Sequence, residues 1–209
     1  GIDARVAVDG VDRPPYLARP PRRNLALFAI ALYTLVEFWQ PGGRASAWLA
    51  LAAMCAVFNL LNDWHVGRAL LQRWPLMLYA VYVGMAAGYG VVGVALLTGA
   101  FSANAGVHLL TVGAFGFNIY LVICIAGYTH AGLDKNGRAW VLWGAAALMA
   151  AAMLRAGAYA GLAASTLMAV AAGLWCLGFV LQSIHMLPVF VRPRADGREG
   201  CAGVLGEPG

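Results

Sequence analysis

Apolar residues in this chain come in long runs, with no strand-like alternation and no heptad repeat. Six runs stand out, at about 24–40, 45–61, 75–99, 105–129, 139–154 and 162–190. A helix needs roughly 18 or more such residues to cross the hydrocarbon core of a bilayer. The pattern therefore predicts an all-α integral membrane protein, a bundle of six transmembrane helices. The first and fifth runs are short. The last is long, and either tilts or ends in an interfacial turn before Pro188. Short connections make successive helices antiparallel neighbours. The runs form one membrane domain, 24–190. Before it lies an irregular arm, 1–23, punctuated by Pro14-Pro15 and Pro20-Pro21. After it lies a tail, 191–209, whose glycines mark it as flexible.

Composition agrees: 62% of residues are hydrophobic and 11% charged, which excludes an ordinary soluble domain. The charges also orient the bundle. Of the 14 basic residues, all but Arg44 and Arg155 fall on one side when six spans are threaded alternately. The positive-inside rule then places both termini in the cytoplasm. Topology accounts for the basic excess, so no nucleic-acid partner is implied; the partner is the lipid bilayer. The first 23 residues are polar, so no cleavable signal peptide is expected. Cys55, Cys124 and Cys176 lie within spans as small packing residues, and no pair has metal-site spacing. No Walker loop, dinucleotide fingerprint, nucleophile elbow or zincin motif is present, so hydrolase and nucleotide chemistry have no support.

Candidate chemistry rests on four histidines, all in or beside apolar spans. An ionisable side chain inside a membrane is a functional candidate by default. His108 and His130 stand at the two ends of the fourth run. As a continuous α-helix, it would put them about six turns and roughly 33 Å apart, on nearly one face. His65, His130 and His185 all fall at the cytoplasmic side. Two facing imidazoles from different helices make a haem site, so these three are the candidate haem ligands. The alternative is that they snorkel to lipid headgroups. His108 lies on the opposite side, with Glu37, the one carboxylate within a span, at similar depth. This pair is the candidate metal site, a copper site for instance, or a structural hydrogen bond. A carboxylate at that depth must be paired or protonated.

Several polar and aromatic residues in the spans have plainer roles. Asn118 and Gln182 are placed to bond across helices. Trp143 and Trp175 suit the face of a macrocycle or a membrane belt. Arg155, near the outer end of the fifth run, would hold a propionate or remain a solvated end charge. Gly84, Gly88, Gly93, Gly113 and Gly116 suit close helix packing.

Several stretches together resemble the NnrS family of bacterial membrane proteins. The clearest is His108-Leu-Leu-Thr111-Val-Gly113-Ala-Phe-Gly116, similar to that family's histidine followed by Thr-x-Gly-Ala-x-Gly. Ala131-Gly-Leu-Asp-Lys-Asn-Gly-Arg138 stands where the family has a Gly-His-Thr-Gly-Arg type of turn. Trp175, Phe179 and Pro193-Arg194-Ala-Asp196-Gly197-Arg-Glu-Gly200 resemble the closing pattern, and Trp64 to Pro75 the loop before a span that begins with proline. The likeness covers about 23–200 and corresponds to the C-terminal half of a twelve-span protein. It implies haem, specifically haem b, with copper, in the inner membrane and in a nitric oxide or denitrification context. The chain departs from the pattern at Lys135, where a histidine is usual, at His130, where an arginine is usual, and at Tyr82, where a histidine is frequent. Of the histidines, only His108 carries over from the family pattern. A half-length relative implies a homodimer or a subunit of a membrane complex.

Two functions follow. One is an NnrS-like haem or haem–copper protein of nitric oxide handling or electron transfer. The other is a non-catalytic accessory subunit with merely interfacial histidines. A carrier has less support: no inverted repeat is visible, and few polar groups could line a path. Without CxxCH, covalently attached haem is disfavoured.

Overall fold

The computed structural model describes residues 20–64, 67–134, 137–161, 163–195 and 197. Helices run α1 (Pro20–Trp39), α2 (Arg44–Leu61), α3 (Arg73–Thr98), α4 (Asn104–His130), α5 (Ala139–Tyr159) and α6 (Ala164–Val191). Short 3-10 turns, Asn62–Trp64 and Gly67–Leu71, link α2 to α3. Among the described residues the regular structure is wholly helical. Five helices, α2 to α6, are long and apolar enough to cross a membrane. The sequence pattern predicts six. α1 falls outside the group because Arg22, Arg23 and Glu37 share its 20 residues.

Boundaries depart from the sequence reading where local chemistry acts. Pro20 and Pro21 open α1 instead of ending an irregular arm, since a first-turn proline gives up no hydrogen bond and is already at helical φ. α5 runs on to Tyr159, so Arg155 sits within the helix, one turn before its end. α6 continues through Pro188 to Val191 without the expected turn.

Neighbouring helices are antiparallel, and glycines show why they lie so close. A Cβ on Gly93 of α3 would fall 2.7 Å from Leu51 of α2. A Cβ on Gly106 of α4 would fall 2.5 Å from the Gly88 carbonyl and the Val92 nitrogen of α3. α4 and α6 run parallel. Gly116 lies under Trp175, and Gly127 under Met186, with the same offset along both helices. Contact at backbone distance is the means by which helices associate in lipid, where no water is released.

Three apolar clusters fill the bundle. Ala26, Ala29, Ala53, Val57, Ala86 and Tyr89 join α1, α2 and α3. Trp74, Val81, Phe117, Tyr120, Leu121 and Leu148 join α3, α4 and α5. Ala105, Leu109, Ala152 and Ala156 join the start of α4 to the end of α5. Tyr120 is fully buried and ties three helices together. Its hydroxyl donates to the Val141 carbonyl of α5 (3.0 Å), and its own carbonyl accepts from Gln182 Nε2 of α6 (2.8 Å). Gln182 thus bonds across helices as its sequence position predicts. α6 is peripheral, with only Ala171, Gly178, Gln182 and Met186 buried.

At the basic end, Arg22 of α1 pairs with Asp63 after α2 at 2.7 Å. Arg73 donates to the Arg138 carbonyl at 3.1 Å, and Arg138 lies over the Tyr128 ring, 4.1 Å from its centroid. These contacts lock the α2–α3 and α4–α5 connections to one end of the bundle.

α4 is not a plain α-helix. Residues Leu109–Gly116 form a π-helical segment between Asn104–His108 and Phe117–His130. Its wider i→i+5 turns rotate less per residue than an α-helix. The angle that would place His108 and His130 on one face therefore does not carry through the segment.

Packing of this kind makes a paired prediction. Gly106→Ala meets backbone that cannot yield, and should cost about 1–3 kcal/mol by overpacking. Gly173→Ala on α6 has nothing within 4 Å and should be neutral or slightly stabilising. Thermal unfolding of the two variants in detergent checks the contrast.

Candidate functional site

The strongest constellation lies toward the end opposite the basic residues, where α4, α5 and α6 meet. His108 closes the first α-helical turns of α4, immediately before the π-helical segment. It borders a cavity of about 310 Å3, with Thr111 from α4, Arg155 from α5, and Trp175 and Cys176 from α6. The His108 ring stacks on Tyr159 at 4.7 Å between centroids, which fixes its plane. Gly116 has no side chain, so Trp175 seats against α4 and forms a wall.

Two atoms here are chemically conspicuous. His108 Nδ1 and Arg155 Nε are buried and have no hydrogen-bond partner among the described residues. Leaving such a group unpaired costs about 1–3 kcal/mol, so each needs a reason. A histidine and an arginine on different helices thus each turn an unpartnered nitrogen toward one cavity; the other such atoms among the described residues, Trp74 Nε1 and Trp140 Nε1, do not border it.

The other predicted residues stand elsewhere. Glu37 accepts the Gly42 amide at 3.1 and 3.2 Å through its two oxygens, closing the α1–α2 turn. Its carboxylate is thus paired, with a backbone amide, and it does not border the His108 cavity. His185 is exposed. Its Nδ1 lies 2.8 Å from the Leu181 carbonyl, and its ring stacks on Trp140 at 4.6 Å. His130 is exposed at the end of α4 and borders a second cavity, with Phe190, Arg192 and Arg194. The parallel α4–α6 pair brings His130 and His185 to the same end, as the sequence predicts, but with different neighbours. His65 lies outside the described residues. Trp143 is 71% exposed and faces away from the bundle, unlike Trp175.

The residues present discriminate between cofactors. Among the described residues, no group of three or more His, Cys, Asp or Glu could hold a metal ion. The His108 cavity offers two such donors, His108 and Cys176, too few for a metal held by protein alone. Haem brings its own equatorial nitrogens and asks the protein for an axial imidazole and for cations near its carboxylates. His108, Arg155 and Trp175 fit that demand. Tyr159 and Cys176 are the members that sequence reading missed as site residues. A stacking tyrosine beyond the expected helix end carries no signal of its own.

The unpaired nitrogen also yields a test. Phenylalanine at position 108 keeps the stack on Tyr159 and removes the orphaned nitrogen. His108→Phe should leave the thermal midpoint of the cofactor-free protein unchanged or raise it. A fall of several degrees would show that the imidazole is held for structure.

No curated protein and no solved structure matches the chain. The family profile described as NnrS protein matches residues 4–194, and so reaches further toward the N-terminus than the likeness from about residue 23. With nearly its whole length covered, from the arm through all six helices to Arg194, this chain belongs to the NnrS family.

Proposed function

We propose that this chain is a multi-pass haem protein of the bacterial inner membrane, of NnrS type, acting in nitric oxide handling or electron transfer. The observation that carries the reading is the pair of buried, unpartnered nitrogens, His108 Nδ1 and Arg155 Nε, beside one cavity. His108 would hold the iron, Arg155 would meet a haem carboxylate, and Trp175 would pack against the ring. When bound, haem supplies iron that takes up one electron or a diatomic ligand. The chain's own residues prepare for this. Tyr159 holds the imidazole plane by stacking. The lining around Arg155 is largely apolar, where an attraction between opposite charges is stronger than in bulk water. Copper, with His108 and Cys176 as donors, is the lesser alternative. His130 and His185 act at the interface in this reading, and the expected His65, His130 and His185 haem site is its competitor.

The same reading makes α1 a sixth span. Its 20 residues reach about 30 Å, its charges lie in the first and last turns, and Arg22 and Glu37 are both partnered. Six spans put both termini in the cytoplasm with the basic end. The peripheral α6 meets lipid, and a homodimer or a larger complex would assemble through that helix.

The test is the visible spectrum of the full chain in detergent, oxidised and then reduced with dithionite. The wild type should show a Soret band that shifts on reduction. His108→Ala should abolish it, while Arg155→Ala should weaken haem affinity by about tenfold, the usual order for a supporting residue. His130→Ala and His185→Ala should keep it. A colourless wild type after haem supplementation would overturn the proposal. Loss confined to the His130 or His185 variant would move the haem to the cytoplasmic end.

A further inference from the structure

The second cavity lies at the opposite, basic end of the bundle, between the parallel helices α4 and α6. Its volume is about 390 Å3. Its walls are apolar: Val122, Ile123 and Ala126 on α4, Val189 and Phe190 on α6. Its rim is cationic or titratable: His130, Arg192 and Arg194. Two features build the shape. Gly127 lets Met186 and Phe190 lie directly on α4, so the groove has a closed back. Beyond α6, the Ala195 amide donates to the Ala131 carbonyl at 3.0 Å, which ties the chain carrying Arg192 and Arg194 across the end of α4. The arginines are thereby placed at the rim by the backbone.

We propose that this groove is a binding site for an anionic phospholipid of the cytoplasmic leaflet. The headgroup phosphate lies between Arg192 and Arg194, with His130 beside it. An acyl chain follows the wall from His130 up to Val122, a rise of roughly 12 Å. Charge and shape decide the occupant together. Basic pockets between helices at the cytoplasmic face suit acidic headgroups. A soluble anion would use the rim and gain nothing from two turns of apolar wall. A neutral lipid would use the wall and gain little from two guanidinium groups. Phe190 and Val122 are 59% and 50% exposed, so the groove opens sideways, where lipid arrives from the bilayer.

Titration of the detergent-purified full chain with phosphatidylglycerol, followed by native mass spectrometry, tests the site. One lipid per chain should be retained at concentrations where phosphatidylcholine is not. Arg192→Ala and Arg194→Ala should each weaken retention about fivefold, the usual effect of one cation near a lipid headgroup. Arg23→Ala, at the same end but away from the groove, should change nothing. Ala126→Trp fills the groove without touching charge, and should also release the lipid; this variant decides the matter if the arginine variants fail to fold. Equal retention of phosphatidylcholine would overturn the proposal, as would equal loss with Arg23→Ala. Displacement of the lipid by millimolar inorganic phosphate, or no effect of Ala126→Trp, would make the site one for a soluble anion and overturn it as well.

Discussion

Helices in a bilayer gain no hydrophobic free energy by meeting, because lipid tails are as apolar as the side chains they replace. Contact distance is what remains. In this molecule the constraint falls hardest on α4, which touches α3 through Gly106, α6 through Gly116 and Gly127, and α5 where Tyr120 presses on Gly144. Dispersion grows steeply as backbones approach, and small residues permit the approach. Everything of functional interest inherits its position from these contacts. Trp175 stands over the His108 cavity because Gly116 is beneath it, and Phe190 closes the lipid-facing groove because Gly127 is beneath it.

Polar groups inside the bundle divide into two kinds. Tyr120 and Gln182 satisfy each other and the Val141 carbonyl, so they cost little and fix the register of α4, α5 and α6. His108 Nδ1 and Arg155 Nε have no partner among the described residues. Low polarity makes the first kind firm and the second kind expensive. The bundle thus completes one polar network near the middle of α4 and leaves two nitrogens unpaired beside a cavity near its first turns.

Much of the fold was legible in the sequence, because runs of apolar residues report bilayer thickness directly. Five of the six apolar runs end as helices within a few residues of expectation, and Arg22, Arg73, Arg138, Arg192 and Arg194 gather at one end of the bundle. The limits were local. Proline before α1 reads as a breaker, yet at a first turn it starts a helix. Depth alone paired His108 with Glu37. Depth says nothing about azimuth, and Glu37 had a nearer partner in the Gly42 amide. Arg155 and Trp175 were visible as candidates, but their convergence on His108 depends on which helices are neighbours. The parallel α4–α6 contact cannot be read from loop lengths.

The π-helical segment within α4 has one more consequence. A soluble helix that gains a residue can loop it out to water. In hydrocarbon, a looped peptide group would be stranded without a partner. A wide turn keeps its carbonyls and amides bonded along the axis, so it absorbs an extra residue where a loop could not. Leu109–Gly116 therefore marks a place where length and side-chain phase are uncoupled. A single residue added or removed there would turn one half of the helix against the other while the span keeps its ends.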